Sequence, residues 1–165
     1  MIGKRSRRWL AGPAAAAALA ATMMVPASAY ASASVDGGNV YVATYSLSAP
    51  DPVTGAKSSF NPDWIRGGKC VLYPEALVVI SPPDSGNNGW GAFHGTTYTN
   101  RSGGATMGGS FRILDHNGNQ LARVDMNSGY MPQRLVACGF DYYQPMFMTP
   151  ANFFFAEKIE WSVGC

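Results

Sequence analysis

One stretch of the chain, from Ser110 to Met126 with the sequence SFRILDHNGNQLARVDM, constrains the fold more than any other. Its centre is the pair Asn117-Gly118. Asn-Gly between alternating apolar residues is the strongest short-range signal for a β-hairpin, because a type I′ turn needs positive φ at both central residues. A turn at this position pairs four residues of each arm: Leu114 with Leu121, Ile113 with Ala122, Arg112 with Arg123, and Phe111 with Val124.

The two faces of this predicted hairpin differ in chemistry. One face is apolar, and we expect it to point into the core through Phe111, Ile113, Ala122 and Val124. The other face sets Arg112 directly across from Arg123, and like charges in that arrangement repel each other. Asp125, on the same face, relieves this repulsion if it pairs with an arginine, and a ligand carboxylate does the same. Arg112 and Arg123 are therefore candidate ligand-binding residues.

The rest of the chain has the same β character. Runs rich in β-branched and aromatic residues alternate with turns rich in Gly, Pro and Asn, and no segment has a convincing helical periodicity. Together with the two hairpin arms, four further segments predict about seven strands: 39–49, 70–81, 92–100 and 134–143, followed by a last strand within 153–163. Within 70–81 we expect the strand either to start after Pro74 or to bulge there, because proline lacks a ladder donor. This pattern predicts an all-β chain with a single antiparallel β-sandwich, and a small β-barrel is the second choice.

The N-terminal region is typical of a secretory signal peptide. Four basic residues, Lys4, Arg5, Arg7 and Arg8, precede an Ala-rich apolar run, and small residues suited to cleavage follow it. Cleavage is expected after one of three residues: Ala29, Ala31 or Ala33. We expect residues 1–33 to be removed and 34–165 to form one secreted or periplasmic β domain without a membrane anchor. The pair Arg7-Arg8 also partly matches a twin-arginine signal, so both the Sec and the twin-arginine route remain open.

Removal of this signal reverses the sign of the net charge. The chain has 12 Lys and Arg against 10 Asp and Glu, and four of the basic residues lie in the signal. Eight basic residues then face ten acidic ones, which gives a net charge of −2. A domain of this charge lacks the cationic surface that binds nucleic acid by counterion release. We therefore expect no nucleic-acid partner.

Three cysteines in an exported chain predict one disulfide and one remaining thiol. Cys165 follows the apolar parity of the last strand, so a Cys138–Cys165 bridge is the first choice, and Cys70–Cys165 is the alternative. The third thiol is either buried or available for a disulfide-linked oligomer. No pair of cysteines has zinc-ligand spacing and the chain has two histidines, so neither a metal nor another cofactor is expected.

Two aromatic segments are candidate ligand-binding sites. Trp90 follows SGNN between two glycines, and we place it on a loop from Pro82 to Gly91, where its flat ring faces either a ligand or the end of the sandwich. In the segment CGFDYYQPMFMTPANFFF we assign Phe153 and Phe155 to the core by strand parity. Tyr143 and Phe147 remain as candidates in a loop over 143–148, where Pro145 and Pro150 bracket the sequence MFMT, although burial of this loop is the alternative.

No motif in the chain marks a catalytic site. G-x-S-x-G, H-E-x-x-H and P-loop patterns are absent from the sequence. His116 flanks the hairpin turn and is expected to be solvent-exposed, which leaves His94 as the candidate general base of a small hydrolase, acting with a carboxylate.

These observations favour a secreted, non-catalytic β-sandwich that binds an extracellular carbohydrate, surface or protein. The alternative is a structural subunit of an extracellular assembly, joined by a disulfide or by edge strands. A small secreted hydrolase that uses His94 is the third hypothesis.

Overall fold

The computed structural model describes residues 34–36, 40–132 and 134–165. The predicted signal peptide, with its three cleavage sites, lies outside the described residues. Eleven strands and one short helix are present in the described part: β1 (Ser34–Asp36), β2 (Val40–Ser46), β3 (Lys57–Phe60), β4 (Ile65–Gly67), β5 (Cys70–Leu72), β6 (Leu77–Ile80), β7 (Asn88–Thr99), β8 (Ala105–Leu114), β9 (Gln120–Met131), β10 (Cys138–Phe147), α1 (Pro150–Phe155) and β11 (Lys158–Gly164).

The strands form two antiparallel sheets packed face to face, which confirms the predicted β-sandwich, and the sheets do not close into a barrel. The first sheet has the strand order β1-β2-β11-β8-β9. In the second sheet the long strand β7 pairs along one edge with β10. Along its other edge β7 pairs with β6 and then with β5, and the outer strands β3 and β4 follow these.

Aromatic rings from both sheets meet in the core. Phe93 of β7 stacks on Phe111 of β8 with ring centroids 5.8 Å apart. Trp161 of β11 packs edge-on against Phe111, with centroids 5.1 Å apart, and is fully buried. Burial of such large side chains is the main force that holds two sheets together, because each ring removes a large apolar area from water.

The predicted hairpin is confirmed as β8 and β9. Phe111 pairs with Val124, Arg112 with Arg123 and Ile113 with Ala122, and the four apolar residues of this set are buried. The prediction for the turn was wrong in detail: Leu114 pairs with Gln120 rather than with Leu121.

The turn differs because Gly118 alone of the central pair has a positive φ, at 87°. The Gly118 amide donates to the Asp115 carbonyl at 3.1 Å, and the Asp115 amide donates to the Asn119 carbonyl at 3.0 Å. The loop between the arms therefore has three residues, 116–118, instead of the two of a type I′ hairpin.

Two strands extend into segments predicted as loops. β7 begins at Asn88, so Trp90 lies in a strand, and β10 runs on through Pro145 to Phe147. The turn before β7 is set by Asp84, whose carboxylate accepts from the amides of Gly86 at 2.8 Å and Asn88 at 2.9 Å. Pro145 is tolerated because β10 is an edge strand, where a missing N–H breaks no interior ladder.

The apolar segment 70–81 is divided into β5 and β6, and β6 starts after Pro74, which is one of the two alternatives expected at this proline. The chain turns at Pro74 and Glu75, since proline cannot donate to a ladder. The preceding segment, expected to be loop-like up to Lys69, contains the short strands β3 and β4.

The prediction of a strand at Phe153 and Phe155 was wrong, because these residues lie in the helix α1. Thr149 caps this helix by accepting from the Asn152 amide, and Pro150 occupies its first turn, where it loses no hydrogen bond. Phe153 is buried as expected, whereas Phe155 is exposed. The inward parity of Ile159, Trp161 and Val163 in β11 is confirmed. The described residues contain no helix with the length and hydropathy of a membrane span.

The disulfide joins Cys70 to Cys165, with Cα atoms 5.6 Å apart, and is the second of the two predicted pairings. The first choice, Cys138–Cys165, was wrong because the end of β11 lies against Gly67, which is the partner of Cys70 in the β4–β5 pair. Cys138 is in β10, along the opposite edge of β7 from β5. Cys138 keeps a free, half-buried thiol. The bridge ties β5 of the second sheet to the end of β11 in the first.

Candidate functional site

The candidate site lies on the outer face of the second sheet, where β7 and β10 run side by side. Residues at directly opposed positions of an antiparallel pair share a face. Trp90 is opposed to Pro145, Ala92 to Tyr143, and His94 to Asp141. Phe93, between these positions, points into the core, so Trp90, Tyr143, His94 and Asp141 all point outward.

Trp90 and Tyr143 form an exposed pair of rings, which we call the aromatic pair. Their ring centroids are 6.1 Å apart, and 43% and 61% of the two residues is exposed. Tyr143 also meets the His94 ring edge-on at a centroid distance of 5.6 Å. The three rings are therefore held in one group by two hydrogen-bonded strands, which fix their spacing better than a loop would.

His94 and Asp141 form a polar couple beside the aromatic pair. Nδ1 of His94 lies 2.6 Å from Oδ1 of Asp141, which is hydrogen-bond distance. The carboxylate orients the imidazole ring and fixes which nitrogen carries a proton in the neutral state, with Nδ1–H donating to Asp141. The other nitrogen is then available to accept a hydrogen bond from a ligand. The expected partnership of His94 with a carboxylate is thus present in the structure.

An open cleft of about 550 Å³ adjoins this couple, and we call it the acidic groove. Its wall contains Glu75, His94, Thr96 and Asp141. Glu75 has a positive φ of 66°, which is rare for a residue with a side chain. Within the described part of the chain its carboxylate has no hydrogen bond or ion pair, so it is free to meet a ligand.

Two further clefts flank Trp90. One, of about 560 Å³, lies between Trp90 and the Asp84 turn, and the other, of about 310 Å³, lies between Trp90 and Tyr143. The amide of Asn88, then that of Gly86, donates to the Asp84 carboxylate and lowers its pKa. The walls of these two clefts and of the acidic groove contain no Lys or Arg. These three clefts therefore suit a ligand without negative charge.

A second aromatic group lies towards the far end of β7, and we call it the aromatic triad. Trp64 packs on Tyr73 with centroids 4.2 Å apart, and Tyr98 meets Tyr73 at 5.7 Å and Trp64 at 6.4 Å. Tyr98 shares the outward parity of Trp90 and His94 along β7. The triad therefore lies on the same face as the aromatic pair, and Trp64 leaves 49% of its surface exposed.

The other predicted binding residues are distributed over both faces of the molecule. Phe147 lies on β10 with the parity of Tyr143 and is 70% exposed, so it belongs to the outer face of the second sheet. Arg112 and Arg123 lie on the outer face of the first sheet. There Arg112 binds Glu160 at 2.8 Å, and Arg123 binds Asp125 at 2.8 Å. The predicted arginine pair therefore does not belong to the same site as Trp90, and its charges are already compensated.

His116 lies on the hairpin turn with its side chain 80% exposed, as expected, next to the Glu157 carboxylate at 3.2 Å. Among the described residues, no group of three or more His, Cys, Asp and Glu side chains is arranged to hold a metal ion.

Sequence reasoning missed the aromatic triad and Glu75. Tyr98 could have been predicted to lie on the outer face, because it is an even number of residues from His94 in the same strand. Trp64 and Tyr73 lie in segments that the sequence did not resolve as separate strands, and only the pairing of β4 and β5 brings them beside β7.

No family model matches this chain, and no curated protein sequence matches it. Among solved structures, the chain is similar to part of the enzymatically active domain of tailspike protein 4 from bacteriophage CBA120, with 14% identity and a TM-score of 0.24. The match covers 78% of this chain and 17% of the tailspike chain. A TM-score of this size supports no argument about fold or function, so the function is argued from the site.

Proposed function

We propose that this protein is a secreted, non-catalytic binding module that holds its ligand on the outer face of the second sheet. The observation that carries this proposal is the aromatic pair, two large rings exposed together at 43% and 61% on adjacent strands. Exposed apolar groups rimmed by polar residues mark interaction sites, because leaving them in water has no structural benefit.

The rigidity of the site supports binding. Trp90 and Tyr143 lie in the middle of a ladder that pairs β7 with β10 from Asn88 to Thr97. A side chain on a paired strand loses little conformational freedom when a ligand arrives, so less of the contact energy is spent on ordering. In this proposal the His94–Asp141 couple orients the ligand through hydrogen bonds.

Export fits the covalent structure of the domain. The disulfide Cys70–Cys165 spans 95 residues of the chain, and such bonds persist in oxidising compartments outside the cytosol. The signal-like residues 1–33 supply the route in this proposal.

The test is a binding screen of the purified protein against glycans, cell-wall material and extracellular proteins, followed by matched variants. Trp90→Ala and Tyr143→Ala should each weaken binding by roughly tenfold or more, as truncation of a central aromatic contact does. Phe154→Ala, which removes an exposed ring on α1, is the control and should leave binding unchanged. Ligands that bind the two site variants as tightly as the parent protein would refute the proposal.

One observation favours assembly as a second candidate function. Cys138 has a free thiol at the start of β10, and β10 is an edge strand of the second sheet. The exposed residues Leu135 and Val136 immediately precede it. An unpaired strand edge beside exposed apolar residues is a template for another chain.

Mass spectrometry of the secreted protein under native and denaturing conditions tests this candidate. A covalent dimer that Cys138→Ser abolishes would support assembly through this edge. A monomer with one alkylatable thiol at all concentrations would rule out assembly through this edge.

A further inference from the structure

We propose that the ligand is an uncharged glycan chain that lies along β7, from the aromatic pair across the acidic groove to the aromatic triad. This inference rests on the proposed function, because it assigns a ligand class to the same face. It adds a second contact region, the triad, and a direction for the chain.

Strand β7 carries the residues that an extended ligand would contact in sequence. Trp90, His94 and Tyr98 are separated by even numbers of residues on one strand, so their side chains point to the same side of the sheet. Trp90 and Tyr98 are eight positions apart, which corresponds to about 26 Å at roughly 3.3 Å per residue. The acidic groove, lined by His94 and Thr96 among others, lies between the two aromatic groups. A ligand that touches both groups must therefore be extended, and a single sugar ring is too short.

The chemistry of the surface matches a glycan better than other polymers. A pyranose ring has one face of C–H groups with partial positive charge, which packs on the negative face of an aromatic ring. Its hydroxyls donate to carboxylates and to a neutral imidazole nitrogen. The site offers both partners at short range: exposed rings at each end, and Glu75, Asp141 and His94 between them.

The charge distribution argues against an anionic polymer. The walls of the acidic groove and of the two clefts beside Trp90 contain three acidic residues, Glu75, Asp84 and Asp141, and no Lys or Arg. A phosphate or uronate chain in these three clefts would meet carboxylates without compensating cations, although Arg66 shares the outer face with Tyr98 at the triad end. An uncharged chain avoids this repulsion and still uses the carboxylates as hydrogen-bond acceptors.

The backbone at Glu75 shows how the groove is built. The Glu75 amide donates to the Asn61 carbonyl at 2.8 Å, and the buried Asn61 side chain donates to the Tyr73 carbonyl at 2.9 Å. These bonds hold the turn that carries Glu75 at a φ of 66°. Glycine or asparagine fits this conformation with less strain than glutamate. The presence of a carboxylate at a strained position on the groove wall is explained if the carboxylate meets the ligand.

The experiment measures affinity against chain length, with two ladders of neutral oligosaccharides, cello-oligosaccharides and laminari-oligosaccharides. Uronic acid oligomers and oligolysine serve as anionic and cationic probes. Trp90→Ala and Trp64→Ala are compared with the parent protein, and thermal unfolding checks that each variant is folded.

We expect affinity for at least one neutral ladder to rise with length and then level off. Trp90→Ala should weaken the binding of short and long oligomers by about tenfold. Trp64→Ala should leave short oligomers unaffected and weaken long ones by a similar factor, because only long chains reach the triad. Quenching of Trp64 fluorescence by long oligomers alone, measured in a Trp90→Phe variant, gives the same answer without loss of a side chain at the triad.

Several results would overturn the inference and leave the proposed function standing. These are Trp90-dependent binding of oligolysine, of uronic acid oligomers or of a protein in place of neutral glycans, and glycan binding that Trp64→Ala never changes. If no probe or protein binds in a Trp90-dependent way, the proposed function and the inference both fail.

Substitutions at Glu75 distinguish the effect of its carboxylate on binding from the effect of its backbone conformation on stability. Glu75→Asn suits the left-handed conformation, so the variant should be at least as stable as the parent protein and should bind long oligomers severalfold more weakly. Glu75→Gln keeps the length of the side chain and should retain more of the binding. Unchanged binding in Glu75→Asn would exclude Glu75 as a ligand contact and refute this part of the inference.

Discussion

The two outer faces of this sandwich differ in the side chains that they expose to solvent. On the first sheet the charged residues are paired on the protein itself: Arg112 with Glu160 and Arg123 with Asp125, each at 2.8 Å. On the second sheet large rings such as Trp90 and Tyr143 are exposed. The charges of the first face are thus compensated within the sheet, whereas the second face leaves large apolar rings in contact with water.

The same difference bears on Arg112 and Arg123, which the sequence pattern indicated as candidate ligand-binding residues. Their direct opposition across β8 and β9 is confirmed, and it suggested a ligand carboxylate. Glu160 enters from β11, which pairs with β8 on its other side and places a carboxylate opposite Arg112. The repulsion is relieved within the first sheet, so no external anion is needed.

The largest expected effect is the loss of stability on removing the disulfide that links the two sheets. Replacing both Cys70 and Cys165 with Ser should lower the free energy of unfolding by about 2–5 kcal/mol, because the open chain gains entropy in the unfolded state. Urea denaturation measures the change. Cys138→Ser is the matched control and should be nearly neutral. A double variant as stable as the parent protein would mean that packing alone holds the two faces in one body.

The second largest expected effect is the loss of stability on replacing Lys57, the one cation of β3. Its side chain is buried in the sandwich and does not lie on the outer face of the second sheet. Lys57 donates through Nζ to the carbonyls of Phe153 at 2.9 Å and Ala156 at 2.6 Å, and burial lowers its pKa. Lys57→Met should destabilise the protein by about 1–3 kcal/mol, because these buried carbonyls lose their donor.

The control for this prediction is Lys158→Met. Lys158 donates to the His116 carbonyl at 2.7 Å on an exposed surface, where water replaces the lost donor. Thermal unfolding of the two variants side by side gives the comparison. Equal effects would show that the carbonyls at the end of α1 are as accessible to water as the hairpin turn.

A smaller effect is expected on the charged face. Arg123→Ala should change stability by about 1 kcal/mol or less, since its exposed ion pair contributes little in water. Arg112→Ala should cost up to about 2 kcal/mol, because the Glu160 side chain, only 20% exposed, loses its partner. Neither should change ligand affinity if the ligand binds the aromatic face. Isothermal titration with the ligand found by the screen, together with urea denaturation, measures both quantities. A loss of affinity in either variant would place part of the ligand on the first sheet.

The smallest effect is an acid dependence shared by turns of both sheets. Hydrogen bonds lower the pKa of Asp84, chiefly from the Asn88 amide, and that of Asp115, chiefly from the Asn119 side chain, below the ordinary value of 3.8. A lowered pKa in the folded state gives stability that is complete above 3.8 and is lost as the pH falls through the folded pKa.

Unfolding midpoints should therefore be unaffected by these two groups from pH 5 upward and decrease below about pH 4. Asp84→Asn and Asp115→Asn variants should each show a shallower decrease. A parent protein whose midpoint is constant down to pH 2 would contradict these bonds.

Much of the fold could be predicted because it depends on local pattern. The alternation in Phe111–Ile113 and in Ile159–Val163 predicted which side chains are buried, since side chains in a strand alternate between two faces. Local pattern failed at Phe153–Phe155, where the Thr149 cap and Pro150 start a helix in a run that also suits a strand.

Local sequence pattern was enough to predict an all-β sandwich and its central hairpin, and it named Trp90 and Tyr143 as aromatic candidates. It did not predict which distant partners meet: Cys165 bonds to Cys70, Trp64 packs near Tyr98, and Glu160 compensates Arg112. Strand parity depends on neighbours in the chain, whereas strand order depends on how two whole sheets bury their apolar faces. Partners separated by tens of residues meet only after that choice is made.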